Sequence, residues 1–208
     1  AHTIETRLAD AAIRGVPNAF GPQRFGRDGS NPERALAWLA GKARGPRDKR
    51  EQRLLFSALQ SMMFNLVLER RVADGTWATI VLGDVAKKRE GALFVVREED
   101  FEGAAERATR GEVSATGPMF GGSMTWPEGS VRELEEAVLA RFMERDSLET
   151  TRHLGEGTRR PLRLALHDAR AEQDPAAGSI TLSFVLPKGG YATTVLTALC
   201  RTREIAAG

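Results

Sequence analysis

Four side chains able to bind carboxylate, phosphate or base edges, Asn18, Gln23, Arg24 and Arg27, fall within the stretch 15–31, GVPNAFGPQRFGRDGSN. Glycines at 15, 21, 26 and 29 and prolines at 17 and 22 make this backbone turn repeatedly instead of holding one period. Val16, Phe20 and Phe25 are apolar anchors of a kind that disordered linkers lack, so the stretch is expected to be a structured loop. Apolar pins with polar groups pointing outward make a ligand-facing loop. A long surface turn that caps the following helix fits the same residues. Charge is placed unevenly around it. From 14 to 71 there are twelve Lys/Arg against five Asp/Glu, although the whole chain carries only +2. A basic half on a near-neutral protein points to a polyanion on one side; a solvated helix face is the plainer reading of the same excess.

The elements that must position this loop follow from periodicity. Residues 3–14 carry Ile4, Leu8, Ala11, Ala12 and Ile13 at helical spacing, and Gly15 ends that helix. After the loop, Asn31 is expected as N-cap with Pro32 in the first helical position and Glu33 in the first turn. A basic turn, KARGPRDKR, leads to the longest helix, 48–73, with Asp74-Gly75 as its stop. Residues 77–82 and 92–96 read as two strands joined by a charged turn, GDVAKKREG. A helix is expected over 98–110, an irregular region over 112–128, a second helix over 131–145 and a polar, Gly-rich stretch over 148–160. Residues 179–186 alternate in the period-two manner of a half-buried strand, Pro187-Lys188-Gly189-Gly190 turns the chain, and Tyr191, the only tyrosine, stands just before a last helix.

At 208 residues the chain fits one medium domain or two small ones. No apolar run approaches the roughly 18 residues a bilayer span needs and the N-terminus lacks the order of a signal peptide, so no membrane partner and a cytoplasmic location are expected. Cys200, the one cysteine, cannot form an internal disulfide and is expected to pack as a small hydrophobe. His2, His153 and His167 are scattered and read as solvated, which leaves no zinc site. The chain begins with Ala1, so it is expected to be processed, trimmed or part of something longer.

Two stretches together carry a family resemblance. GVPNAFGPQRFGRDGSNPERAL resembles the signature of the TruD family of tRNA pseudouridine synthases, and FVLPKGGYATTVL resembles the strand-turn-helix near that family's C-terminus. Between them SALQSMMFNLVLERR, LGDV, FVVREED and GEVSATGPMFGG stand in the expected order. The resemblance implies an α+β protein: a TruD-type α/β insertion domain over 15–164, and part of an antiparallel-sheet pseudouridine synthase catalytic domain from 1–14 and 165–208. It implies isomerisation of a uridine in tRNA, the thirteenth nucleotide, on a flipped-out base, with tRNA as partner and no metal or organic cofactor. A monomer is favoured.

Carried over residue by residue, Tyr191 matches the aromatic that stacks on the target base, replacing the stacking a flipped base has lost. An ordinary aromatic closing a strand end is the plain alternative. Asn18, Gln23, Arg24 and Arg27 become candidate RNA contacts, and Lys49 and Arg50 electrostatic tethers to phosphate. The family's catalytic aspartate lies in a Gly-x-Lys-Asp-x-x-Ala motif well ahead of the GVPN block, and these 208 residues contain no such motif. Neither Asp84, in LGDVAKK, nor Asp48 is nominated as nucleophile. Two expectations follow: a fragment of a synthase, inactive by itself and with an apolar face left open where further strands would pair, or a shortened, catalytically inactive module that binds structured RNA. A small-molecule phosphate enzyme ranks last, because the glycines lack P-loop spacing.

Overall fold

A computed structural model of the chain describes residues 3–200, so His2 and the 201–208 part of the expected catalytic segment lie outside the described residues. Helix α1 (Ile4–Arg14) starts at Thr3, whose hydroxyl accepts the Thr6 N–H, and buries Leu8 and Ala11. Gly15 stops it at φ 74°, where a side chain would sit 2.6 Å from the Leu164 carbonyl oxygen; only glycine lets the two backbones approach so closely. The next two residues form β1 (Val16–Pro17), and a turn of 3-10 helix (Pro22–Phe25) follows.

At helix α2 (Asn31–Leu39) the N-cap position falls to Ser30 in place of the expected Asn31, and the Ser30 hydroxyl donates back to Asp28 instead of bonding the helix. The Asn31 amide has turned inward beneath Gly26 and accepts from the Arg34 guanidinium, so it is not free to cap. Helix α3 (Lys49–Ala73) begins on Asp48, whose carboxylate accepts the Arg50 N–H, and ends at Asp74. It has two apolar rows. Leu55, Leu59, Met63 and Val67 pack against Phe120, Val138, Leu139 and Leu148, while Phe64 and Leu68 pack against the sheet side of the core. Each such fully buried side chain stabilises the fold by about 1.5–3 kcal/mol.

The main sheet is antiparallel, ordered β3 (Leu93–Val95), β2 (Val85–Lys88), β4 (Val113–Met119), β5 (Thr158–Pro161). Two expectations about it are corrected. Residues 77–82 form turns, because their polar backbone atoms are claimed elsewhere: Arg71 donates to the Thr76 and Thr79 carbonyls, and Asp84 accepts the Val81 N–H. The strand starts at Val85, three residues past the end of that stretch, in the VAKK read as part of a charged turn. The 112–128 region holds β4, whose Gly117 and Pro118 look like breakers. Pairing with β2 covers only Val113 to Ala115, so Pro118 lies beyond it and its missing N–H costs no bond there. A side chain at Gly117 would meet Leu162 and Phe64 at 2.9 Å.

Helix α4 (Phe101–Thr109) covers the sheet, and α5 (Gly129–Ala140) starts and stops earlier than periodicity indicated. The short α6 (Ser147–Thr150) precedes β5 within the stretch read as polar and Gly-rich. Beyond β5 the chain forms β6 (Arg163–Leu164), which pairs with β1, then the hairpin β7 (His167–Asp174) and β8 (Ser179–Val185), then α7 (Ala192–Leu199). A third apolar cluster joins Leu8, Ala11, Val16, Leu164, Leu166, Val195 and Leu199, with Leu182, Phe184 and Cys200 against it. Ile180 and Val185 of the hairpin stay exposed. The protein is α+β, and among the described helices none is long and apolar enough to cross a membrane.

Candidate functional site

The loop is held by a polar row on the longest helix. Ser57, Ser61 and Asn65 recur every fourth residue on α3, so they share one face, between its apolar rows. Asn65 behaves like a strand in miniature: its Oδ1 accepts the Phe20 N–H and its Nδ2 donates to the Phe20 carbonyl, both at 2.9 Å. Arg24 donates from Nε to Ser61 Oγ at 2.9 Å and from Nη2 to Ser57 Oγ. Phe20 is buried, edge-on to Phe64 at 5.5 Å.

Arg160, on β5, ties this loop to the Tyr191 turn. Its Nη2 donates to Asn18 Oδ1 at 2.6 Å and to the Gly189 carbonyl at 3.3 Å, and its guanidinium lies 4.1 Å over the Phe20 ring. Burial pulls its pKa below the usual guanidinium value; Tyr191 opposes that shift and the charge on Arg24 adds to it. Thr194, one turn into α7, donates to the Ala19 carbonyl at 3.0 Å and fixes that helix against the loop.

A cleft of about 430 Å³ opens between these parts, lined by Gln23 and Arg24 on the loop and by Tyr191, Thr193, Leu196 and Thr197 on the other wall. Tyr191 is 43% exposed and lines the cleft. Three of the residues singled out in the sequence therefore share one cavity. Asn18 does not: at 6% exposure, with its amide donating to the Pro161 carbonyl and accepting from Arg160, it is an internal pin and not the outward-pointing group the loop pattern implied. Arg27 faces a separate cleft of about 590 Å³ beside Phe25, Asp28, Glu33 and Glu69. Lys49 and Arg50 are exposed at the start of α3, two turns before Ser57.

Asp48 caps α3, and Asp84 is fully buried, gripped by both terminal nitrogens of Arg71 at 2.8 and 2.9 Å; neither carboxylate reaches the cleft. His153 and His167 are exposed. Sequence reasoning missed Ser57, Ser61, Asn65 and Arg160. The signal for the first three was present, as polar residues at spacing four inside an otherwise apolar helical stretch. Arg160 left none, because its partners are 142 and 29 residues away along the chain.

Residues 42–199 match the family model described as tRNA pseudouridine synthase D (TruD). A tRNA pseudouridine synthase D of Thermus thermophilus is 40% identical over 208 residues, which cover 99% of this chain and 54% of that protein. That of Anaeromyxobacter sp. (strain Fw109-5) is 41% identical over 204 residues, covering 95% and 57%. A crystal structure of a TruD protein from Methanosarcina mazei is similar at a TM-score of 0.78 and 22% identity, over 94% of this chain and 63% of that one; this likeness speaks to fold alone. The chain spans about half the length of the curated relatives it matches. With the greater part of its residues inside the family match, the chain belongs to the TruD family.

Proposed function

We propose that this chain is part of a tRNA pseudouridine synthase, an isomerase that converts a uridine of tRNA, the thirteenth nucleotide, to pseudouridine. The observation that carries the reading is the cleft in which Gln23 and Arg24 of the loop face Tyr191 across about 430 Å³, room for a nucleotide turned out of its helix. Tyr191 supplies the flat partner for the extruded base, Gln23 and Arg24 contact the nucleotide, Asn18 and Arg160 hold the two walls in register, and Arg27, Lys49 and Arg50 contact the RNA farther out. Residues 15–164 form the insertion domain, and 1–14 with 165–208 belong to the catalytic domain. Support for that division comes from the third apolar cluster, which joins α1 to the hairpin and α7 and meets the rest of the core at the Val16↔Leu164 pair. The nucleophilic aspartate comes from a Gly-x-Lys-Asp segment of the longer protein, which acts as a cytoplasmic monomer.

The test is pseudouridine formation in tRNA by the full gene product, beside tRNA binding by residues 1–208. The full product is expected to turn over and the 208 residues to bind without turnover. In either form Tyr191→Ala is expected to weaken RNA binding by the loss of one stacked base, about 1–3 kcal/mol or roughly 5- to 150-fold, while Tyr191→Phe binds as before. A full product that binds tRNA and makes no pseudouridine would replace this reading with that of an inactive structured-RNA-binding module.

A further inference from the structure

Arg24 has one edge of its guanidinium committed and one edge free. Nε and Nη2 each give one N–H to Ser61 and Ser57, and the guanidinium carbon lies 5.4 Å from the centre of the Phe20 ring. Of the five donors of an arginine, both N–H of Nη1 and the second N–H of Nη2 therefore stay free, and they form a fork that α3 holds in a fixed direction. A phosphodiester meets such a fork with two oxygens and a full negative charge, whereas a base edge meets it with acceptors and no charge.

The charge around the cleft points the same way. Arg24 and Arg160 both lean on Phe20, at 5.4 and 4.1 Å, and among the described residues neither makes a salt bridge. No Asp or Glu lines the cleft. Two unneutralised cations against one ring repel each other, and an anion held on Arg24 in the cleft relieves that repulsion. The neighbouring cleft is built in the opposite sense, with Arg27 beside Asp28, Glu33 and Glu69, a poor place for a phosphate.

Resting on the RNA-binding reading above, we propose that the free edge of Arg24 holds one backbone phosphodiester of the RNA at the mouth of the Tyr191 cleft and reads no base. The serine pair has the role of positioning that charge, and specificity for the nucleotide lies elsewhere in the cleft.

The test is the salt dependence of binding of a tRNA transcript, followed by fluorescence anisotropy over a series of KCl concentrations, for the unsubstituted chain, Arg24→Gln and Arg24→Lys. Losing one phosphate contact flattens the plot of log Kobs against log[KCl] by about 0.7–0.9, and Arg24→Gln is expected to show that change together with a several-fold loss of affinity, the same for transcripts of different sequence around the target uridine. Arg24→Lys keeps the slope. Should Arg24→Gln not fold, the double variant Ser57→Ala/Ser61→Ala decides: it keeps the charge and releases the guanidinium from α3, so the slope stays and affinity falls modestly. An unchanged slope in Arg24→Gln, a loss that depends on RNA sequence, or a flattened slope in either charge-retaining variant overturns the proposal alone. Failure of the unsubstituted chain to bind RNA at all overturns the RNA-binding reading with it.

Discussion

Replacing Arg159 by methionine would expose how much of this fold depends on one buried ion pair. Both side chains of the Arg159–Glu135 pair are 0% exposed. Arg159 donates to the two carboxylate oxygens at 2.7 and 2.8 Å, and to the hydroxyl and carbonyl of Thr116 at 3.0 and 2.7 Å, so it binds α5 to β4 and β5 at once. Methionine fills most of the volume and leaves Glu135 buried without its partner. A half-broken buried pair costs about 3–5 kcal/mol, which for a chain of this size lowers Tm by roughly 10 °C. Burial already pushes the Glu135 carboxyl up from its ordinary value while Arg159 pulls it down, so loss of the arginine drives it higher. An acid whose folded pKa exceeds its unfolded value binds more protons folded than unfolded, and its contribution is lost as pH rises through that window. The variant is therefore expected to be less unstable near pH 5 than near pH 8, by urea unfolding followed by circular dichroism. Adding Glu135→Leu should restore most of the loss, because an apolar pair of similar volume carries no desolvation penalty. A single-variant cost below about 1 kcal/mol, or a double variant as unstable as the single one, would refute the reasoning.

Asp84→Asn leaves the Arg71 charge buried without its partner and is expected to lower stability by about 3–5 kcal/mol, with tRNA affinity of the folded fraction unchanged; an affinity loss at full folding would place Asp84 in the site after all. Gly121→Ala puts a methyl group 2.3 Å from the Gly157 nitrogen, backbone against backbone, so a cost above about 3 kcal/mol is expected in a thermal melt, and a stable variant would contradict the close approach. Asn65→Ala strands the N–H and carbonyl of Phe20, and a loss of about 1–3 kcal/mol is expected with faster amide exchange at Phe20; unchanged exchange would mean the clamp does not hold the loop.

Much of the scaffold is legible in the chain itself. The limits of α1 and α3, the stop at Gly15 and the alternation of β8 all follow from spacing and capping, which are local properties. What failed depended on distant partners. Residues 77–82 have strand composition, yet Arg71 and Asp84 take their backbone bonds; 113–119 contain two breakers, yet β4 forms because Pro118 falls where no ladder bond is required. The site divided along the same line. Loop and tyrosine were recognisable as motifs, and the cleft unites Gln23, Arg24 and Tyr191. That Asn18 turns inward, and that Arg160 is what it holds, depends on contacts across more than a hundred residues of sequence.

The 25 residues of α3 also make it a ruler, about 37 Å long. Lys49 stands about 12 Å along the axis from Ser57 and about 24 Å from Asn65, and a helix fixes angle as firmly as length, at roughly 100° per residue. The basic tip and the cleft are thus held in phase on a single rigid rod. Inserting one alanine between Arg53 and Leu54 would leave every charge and every cleft residue in the chain, yet swing the tip a quarter-turn out of phase. For RNA spanning both, such a protein keeps its chemistry and loses its measure.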